Sequence, residues 1–314
     1  MVAHTMFVFH IHAGTSWVFA LHVAASSFEE EIFYSVQLIL EKSFIYLPNT
    51  MENHNSEIML SDFLPTLKNR NNLLYHFGLI CFISAIVLAV VMQFDSRVLL
   101  GVSIWNKPFK FFLSTTIYVW TMGWLCEYLN KPRAVKWYSW MLFITLSTEL
   151  IYITGQSFIG ETSHFNMSSP LNAVMWPIMG LFAGTMVTWT GYMGILFFIK
   201  KLPQLSSNYL WGIRLGIILF VIFGFEGYLM GAHNAHTIGA VDGGEGLPVT
   251  GWSTKHGDLR IAHFLGMHAL QIVPLFAYFF TKKVWQTVLF AMLYLAIVTG
   301  ILLQALAGKP FLPL

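Results

Sequence analysis

Seven long stretches with almost no charge dominate this 314-residue sequence and leave few folds open to it. A helix needs about 20 mostly apolar residues to cross the hydrocarbon layer of a bilayer. The stretches at 73–94, 109–129, 137–156, 171–199, 209–231, 260–280 and 284–307 meet that length. Charge or turn residues bound them: Arg70 and Asp95 bracket the first, and Asn130-Lys131-Pro132 ends the second. Lys200-Lys201-Leu202-Pro203 ends the fourth, and Lys282-Lys283 separates the last two. The runs are continuous rather than alternating and too long for barrel strands. The expected fold is therefore an all-α integral membrane protein, a bundle of about seven transmembrane helices. Trp137, Tyr138, Trp140, Tyr209, Trp211 and Trp285 sit near span ends, where amphipathic rings favour the interface.

Composition removes the alternatives. Only 10% of the residues are charged, too few for a soluble globule of this size or for the basic stripe of a nucleic-acid binder. A 56% hydrophobic content excludes intrinsic disorder. The expected partner is the lipid bilayer, not nucleic acid. Residues 59–314 hold the seven spans. Residues 1–58 stand apart. Val2–Ala25 has no Asp, Glu, Lys or Arg and is long enough for an eighth span, yet carries His4, His10, His12 and His22. The segment is either an extra span or peripheral to the fold.

Basic residues set an orientation. With the side before residue 73 named side A, that side carries Lys42, Lys68, Arg70, Lys131, Arg133, Lys136, Lys200, Lys201, Lys282 and Lys283. Side B carries Arg97, Lys107, Lys110, Lys255, Arg260 and Lys309. Side A is thus expected to be cytoplasmic and the C-terminus outside. Residues 95–110 read as an interfacial re-entry on side B. Cys81 and Cys126 fall inside spans with no ligand spacing and read as small buried hydrophobes.

Ionisable residues inside spans are costly and point to function. Glu127 and Arg214 lie near side A and can snorkel. Glu149 and His268 instead sit about 10–12 Å below the side-B boundary, counted at about 1.5 Å per residue. Glu226 and His263 are somewhat shallower. Glu149, Tyr152 and Gln156 share one arc of their helix, and Arg260, Met267 and Gln271 share another, flanked by His263 and His268. The side-B loops add His164, His233, His236, Asp242, Glu245, His256 and Asp258. The expected site therefore has Glu149 and Glu226 as acid/base groups, and Asp258 with Arg260 as a lid pair. His263, His268 and Gln271 are the candidate cofactor contacts, and His164, His233, His236 and His256 the candidate metal ligands. Imidazole and carboxylate suit a transition metal, and histidines from two helices suit haem. His263 and His268, five apart on one helix, cannot flank one porphyrin.

Other patterns are architectural. Gly180-x-x-x-Gly184, Gly212-x-x-x-Gly216 and Gly227-x-x-x-Gly231 allow close helix approach. Pro177 and Pro274 are expected to kink their spans. The glycines of 239–246 lack a phosphate-loop ending and read as turns.

The strings Asn106-Lys-Pro-Phe-Lys-Phe, Ser163-His-Phe-Asn166 and Gly257-Asp-Leu-Arg-Ile-Ala-His-Phe-Leu-Gly-Met-His-Ala-Leu-Gln271 resemble a family of uncharacterised bacterial polytopic inner-membrane proteins. The resemblance runs from about residue 70 to the C-terminus and implies an α-helical protein of a bacterial inner membrane, with no activity attached. The functional expectation is a polar site on side B for metal- or haem-dependent redox or hydrolytic chemistry on a small or lipid-soluble substrate. A proton-coupled transporter or channel, and a non-enzymatic membrane scaffold, are the alternatives.

Overall fold

A computed structural model describes residues 60–247 and 249–312. The expectations for residues 1–58, an eighth span or a peripheral segment, fall outside the described residues. Among these, eight α-helices follow in order: α1 (Leu60–Arg70), α2 (Asn72–Val91), α3 (Asn106–Cys126), α4 (Pro132–Ile159), α5 (Pro170–Ile199), α6 (Ser207–His233), α7 (Leu259–Phe280) and α8 (Val284–Leu306). A 3₁₀ turn (Glu127–Leu129) follows α3. Two short antiparallel ladders lie at side B: β1 (Val98–Leu99) with β2 (Val102–Ser103), and β3 (Thr237–Ile238) with β4 (Gly257–Asp258).

Six helices, α2 and α4–α8, are long and apolar enough to cross a membrane. The chain is thus a multi-pass α-helical membrane protein. The remaining expected span, 109–129, is helix α3, but it falls short of the others in apolarity. Its sequence spends Asn106, Lys107, Lys110, Ser114, Thr115, Thr116 and Thr121 on polar groups. It nonetheless runs antiparallel to the whole of α2. Near side B, Ile104 and Trp105 pack with Leu88. Further along, Thr116 Oγ1 donates to Gly78 O at 3.2 Å and Trp120 Nε1 to Tyr75 O at 3.2 Å. Gly78 is required there, because a Cβ would come within 2.1 Å of the Trp120 ring.

Local chemistry explains the helix ends. Asn71 caps α2, its Oδ1 accepting from Leu74 N at 3.1 Å. Pro132 and Pro170 open α4 and α5 at positions where no amide donor is needed. Gly160 (φ 79°) closes α4 in the left-handed conformation. Helix α5 runs through Pro177 and α7 through Pro274.

The tightest helix pair is α6 with α7. A Cβ on Gly216 would meet Ala269 O at 2.8 Å, and one on Gly266 would meet the Phe223 ring at 2.0 Å. The main core joins α2 to α7 through Leu74, Met122, Leu142, Met193, Ile217 and Leu270. Within it, the hydroxyls of Tyr118 (α3), Tyr138 (α4) and Thr190 (α5) form a closed set, at 2.9, 2.6 and 2.9 Å. Hydroxyls buried in an apolar core need such partners.

Candidate functional site

The 234–258 loop builds a polar cap at side B. Its base is closed by the β3–β4 ladder, with Thr237 opposite Asp258 and Ile238 opposite Gly257. Its tip is a second small hairpin in which Leu247 N donates to Trp252 O at 2.8 Å. Three successive tip carbonyls are then gripped from two helices. Asn106 Nδ2 donates to Val249 O (2.8 Å), Lys110 Nζ to Thr250 O (2.8 Å) and Arg260 Nη2 to Gly251 O (2.5 Å). Val249 is held at φ 60°, a costly conformation for a β-branched residue. The loop thus stretches from the α6–α7 pair onto the first turn of α3.

Asp258 makes this clamp rigid. Its side chain is fully buried, caps α7 by accepting from Arg260 N (3.1 Å), and binds the Arg260 guanidinium through Nε (2.9 Å) and Nη2 (2.5 Å). Ser253 N donates to the same carboxylate at 2.9 Å. The expected Asp258–Arg260 pair therefore exists, and it fastens the loop as well as pairing charge.

Two histidines stand at this cap, His236 within the loop and His164 near it. His236 Nδ1 meets Asp242 Oδ2 at 2.6 Å, and Asp242 also accepts from the backbone amides of His236 (3.1 Å) and Thr237 (3.0 Å). Burial, with the charges of Lys107 and Arg260, outweighs the carboxylate and holds His236 below the usual imidazole range. Burial would raise the Asp242 carboxyl, but the His236 and Thr237 hydrogen bonds more than offset it and hold the group below its ordinary value. In its neutral form His236 therefore donates Nδ1–H to the Asp242 carboxylate. His164 accepts or donates at Nδ1 to Ser163 Oγ (3.1 Å) and is held well below the usual range by burial, then by Lys107 and His236. Phe165, at φ 57°, carries its ring to 5.0 Å from that of His236 and 4.8 Å from that of Trp176. Two bulky residues in the left-handed region at one site mark locally stored strain. The SHFN segment is held in turn by Glu161, which accepts from Asn166 (3.1 Å), Ser168 (3.3 Å) and Asn172 (2.9 Å).

The other expected residues divide into separate groups. Glu226 and His263 form an α6–α7 pair, Oε2 to Nδ1 at 3.3 Å. His263 Nδ1 directs its hydrogen bond to Phe223 O (2.7 Å) instead, so both Glu226 oxygens are buried with no hydrogen-bond partner among the described residues. His268 bonds Gln271 (3.2 Å), which bonds Thr121 of α3 (3.2 Å). Tyr152 and Gln156 both donate to Asn172 Oδ1 at 3.0 Å, but Glu149, one turn away and 9% exposed, joins no hydrogen bond or ion pair among the described residues. Of the four residues expected at a common depth, Glu226 and His263 thus come together, while His268 bonds Gln271 and Glu149 bonds none of the other three. Depth follows from counting along a helix; position around the bundle does not.

The expected metal set does not assemble either. His236 is committed to Asp242, His233 ends α6, and His256 follows the loop tip near Gly239. Among the described residues no three His, Cys, Asp or Glu come together as ligands for a metal ion. Lys107, Lys110 and Asp242 are site residues that sequence reasoning left out of the site. In the sequence the lysines count only as orientation charges; their spacing of one helical turn at the start of α3 is the available signal.

A search of protein-family models, of curated proteins and of solved structures finds no match to this chain.

Proposed function

We propose that the side-B cap is an acid–base site for an anionic substrate, and that the protein performs hydrolytic chemistry there. The observation that carries this reading is the His236–Asp242 pair set within the field of Lys107 and Arg260. Asp242 fixes the tautomer, so Nε2 is the free acceptor, as the orienting carboxylate does in hydrolytic triads. Lys110 and Arg260, with the pKa of Lys107 brought down to about 7 by burial and by those two neighbouring cations, leave a modest cationic surplus over Asp242 and Asp258. That surplus favours a phosphate or carboxylate group and stabilises charge developing on it. In the proposed step, water attacks the phosphoryl or acyl centre while Nε2 takes its proton. The bond to the leaving oxygen breaks, and the imidazolium returns the proton to that oxygen. The basic-residue count argues that side A is cytoplasmic and that this chemistry is external, and the resemblance argues for a bacterial inner membrane.

The test uses purified protein in phosphatidylcholine nanodiscs, with calorimetric binding of methyl phosphate and turnover of p-nitrophenyl phosphate and p-nitrophenyl acetate. Arg260→Gln is expected to weaken methyl phosphate binding at least tenfold, and His236→Asn to abolish turnover while binding persists. A wild-type protein that neither binds methyl phosphate nor turns over either ester refutes the proposal.

The Glu226 carboxylate, buried beside His263 with no hydrogen-bond partner among the described residues, favours a second reading, a proton carrier. Proton flux in liposomes tests it: undiminished flux in Glu226→Gln and Glu149→Gln excludes both groups.

A further inference from the structure

We infer that the substrate of this site is an anionic lipid that enters sideways from the bilayer between α3 and α7; the inference rests on the anion-site reading above. Both helices start at side B and run in the same direction. They are tied at two levels. At the upper level, Lys110 and Arg260 grip the adjacent carbonyls of Thr250 and Gly251. At the lower level, Gln271 Nε2 donates to Thr121 Oγ1 at 3.2 Å. Eleven residues separate the ties on each helix, a height of about 16 Å at about 1.5 Å per residue.

Between the ties the facing stripes are not covered. Ser114 and Ile117 share the Thr121 face of α3, and Phe264 and His268 share the Gln271 face of α7. Ser114 is exposed, Ile117 is 37% exposed and Phe264 43% exposed. Direct packing of the two helices would bury them. The result is a lateral window, apolar apart from Ser114 and the His268 ring, which stands 4.4 Å from that of Phe264. Trp252 closes its upper edge, its ring 5.6 Å from that of Phe264.

Charge complementarity selects the occupant. The upper edge carries Lys110 and Arg260, the latter paired with Asp258, with Lys107 one turn from Lys110, beside the His236–Asp242 pair. An apolar slot of this height, opening to lipid under a cationic rim, fits an acyl chain below a phosphate headgroup. A soluble anion would use the rim and leave the window empty.

The experiment places the full chain in phosphatidylcholine nanodiscs doped with phosphatidic acid bearing a diazirine in its acyl tail. Photolabelled peptides are mapped by mass spectrometry. Methyl phosphate binding to the same preparation is measured by calorimetry. Label concentrated on 114–121 and 264–271, displaced by unlabelled phosphatidic acid and not by phosphatidylcholine, is the expected result. Ile117→Trp, at an exposed position, is expected to lower that label at least fivefold, and Ile117→Val to retain it. Label spread evenly over the lipid-facing helices, or unmoved by Ile117→Trp, overturns the window. If methyl phosphate binds the wild type while the window stays unlabelled, the lipid inference fails and the anion site stands. If neither binds, both fail.

Discussion

Removing the Asp258 carboxylate should release the cap. The side chain has no exposure and satisfies four donors: Arg260 Nε, Arg260 Nη2, Arg260 N and Ser253 N. Asp258→Ala deletes a helix N-cap, worth about 1 kcal/mol. It also strands Arg260, and breaking a buried ion pair costs about 3–5 kcal/mol. The Arg260 side chain is 31% exposed and can rehydrate in part, so the low end, about 3 kcal/mol, applies. The total is about 4 kcal/mol, which for a domain of this size lowers the thermal midpoint by about 10 °C. Asp258→Asn keeps an oxygen for the cap and loses only the charge, so it should fall between Ala and the parent. In the double variant Asp258→Ala, Arg260→Leu, no charge is stranded, and the loss should shrink to about 1–2 kcal/mol. The assay is a melt in detergent micelles, with thiol labelling of a Thr250→Cys reporter to follow the loop tip. If Asp258→Ala melts within about 2 °C of the parent and the reporter is no more reactive, the pair does not fasten the loop and the reasoning fails.

Three further outcomes follow from the same packing. His164 and His236 have folded values below the imidazole reference of about 6.5, so the unfolded chain takes up protons first as pH falls. Their contribution is complete well above about pH 6.5 and is lost as pH falls through that value towards each folded value, at a limiting slope of about 1.4 kcal/mol per pH unit for each histidine. Melts at pH 7, 6 and 5.5 should show the midpoint falling, and His236→Asn should make the fall shallower; a flat profile is incompatible with two buried neutral imidazoles. Gly266→Ala drives a Cβ to 2.0 Å from the Phe223 ring and should cost about 1–3 kcal/mol by overpacking, whereas an unchanged midpoint means α6 and α7 can separate freely. Val249→Gly relieves about 1–2 kcal/mol of left-handed strain against about 0.5–1 kcal/mol of added backbone entropy. A net gain of up to about 1.5 kcal/mol is expected, and a clear loss would show that Val249 packs rather than strains.

The spans were legible because hydrophobic runs of membrane length have few other uses, and the Gly-x-x-x-Gly pairs because close approach needs a missing Cβ. Gly184 and Gly180 receive Tyr228, whose hydroxyl donates to Gly180 O at 2.7 Å, and Gly212 and Gly216 receive α7. Asp258 and Arg260 were legible because they are two residues apart on one helix start. Lys110 was not, because its partner Thr250 lies 140 residues away, and no local period encodes that distance. Helix α3 falls short of the six spanning helices in apolarity for a related reason. Its hydroxyl and amide groups are spent on Gly78 and Tyr138 inside the bundle and on Val249 of the side-B loop, contacts that its own sequence period does not encode.

The hydroxyl set of Tyr118, Tyr138 and Thr190 also works as a levelling pin. It fixes the axial register of α3 against α4 at one point deep in the bundle. Eleven residues separate Tyr118 from Lys107, and eleven separate Tyr138 from Glu149. Eleven residues of helix return to within about 20° of the starting face and climb about 16 Å. Lys107 therefore stands about 16 Å above the pin, on the face that Tyr118 presents to the interior. One residue inserted between Lys107 and Tyr118 would swing the lysine about 100° around α3, off that face and away from His164, while the pin itself stayed in place.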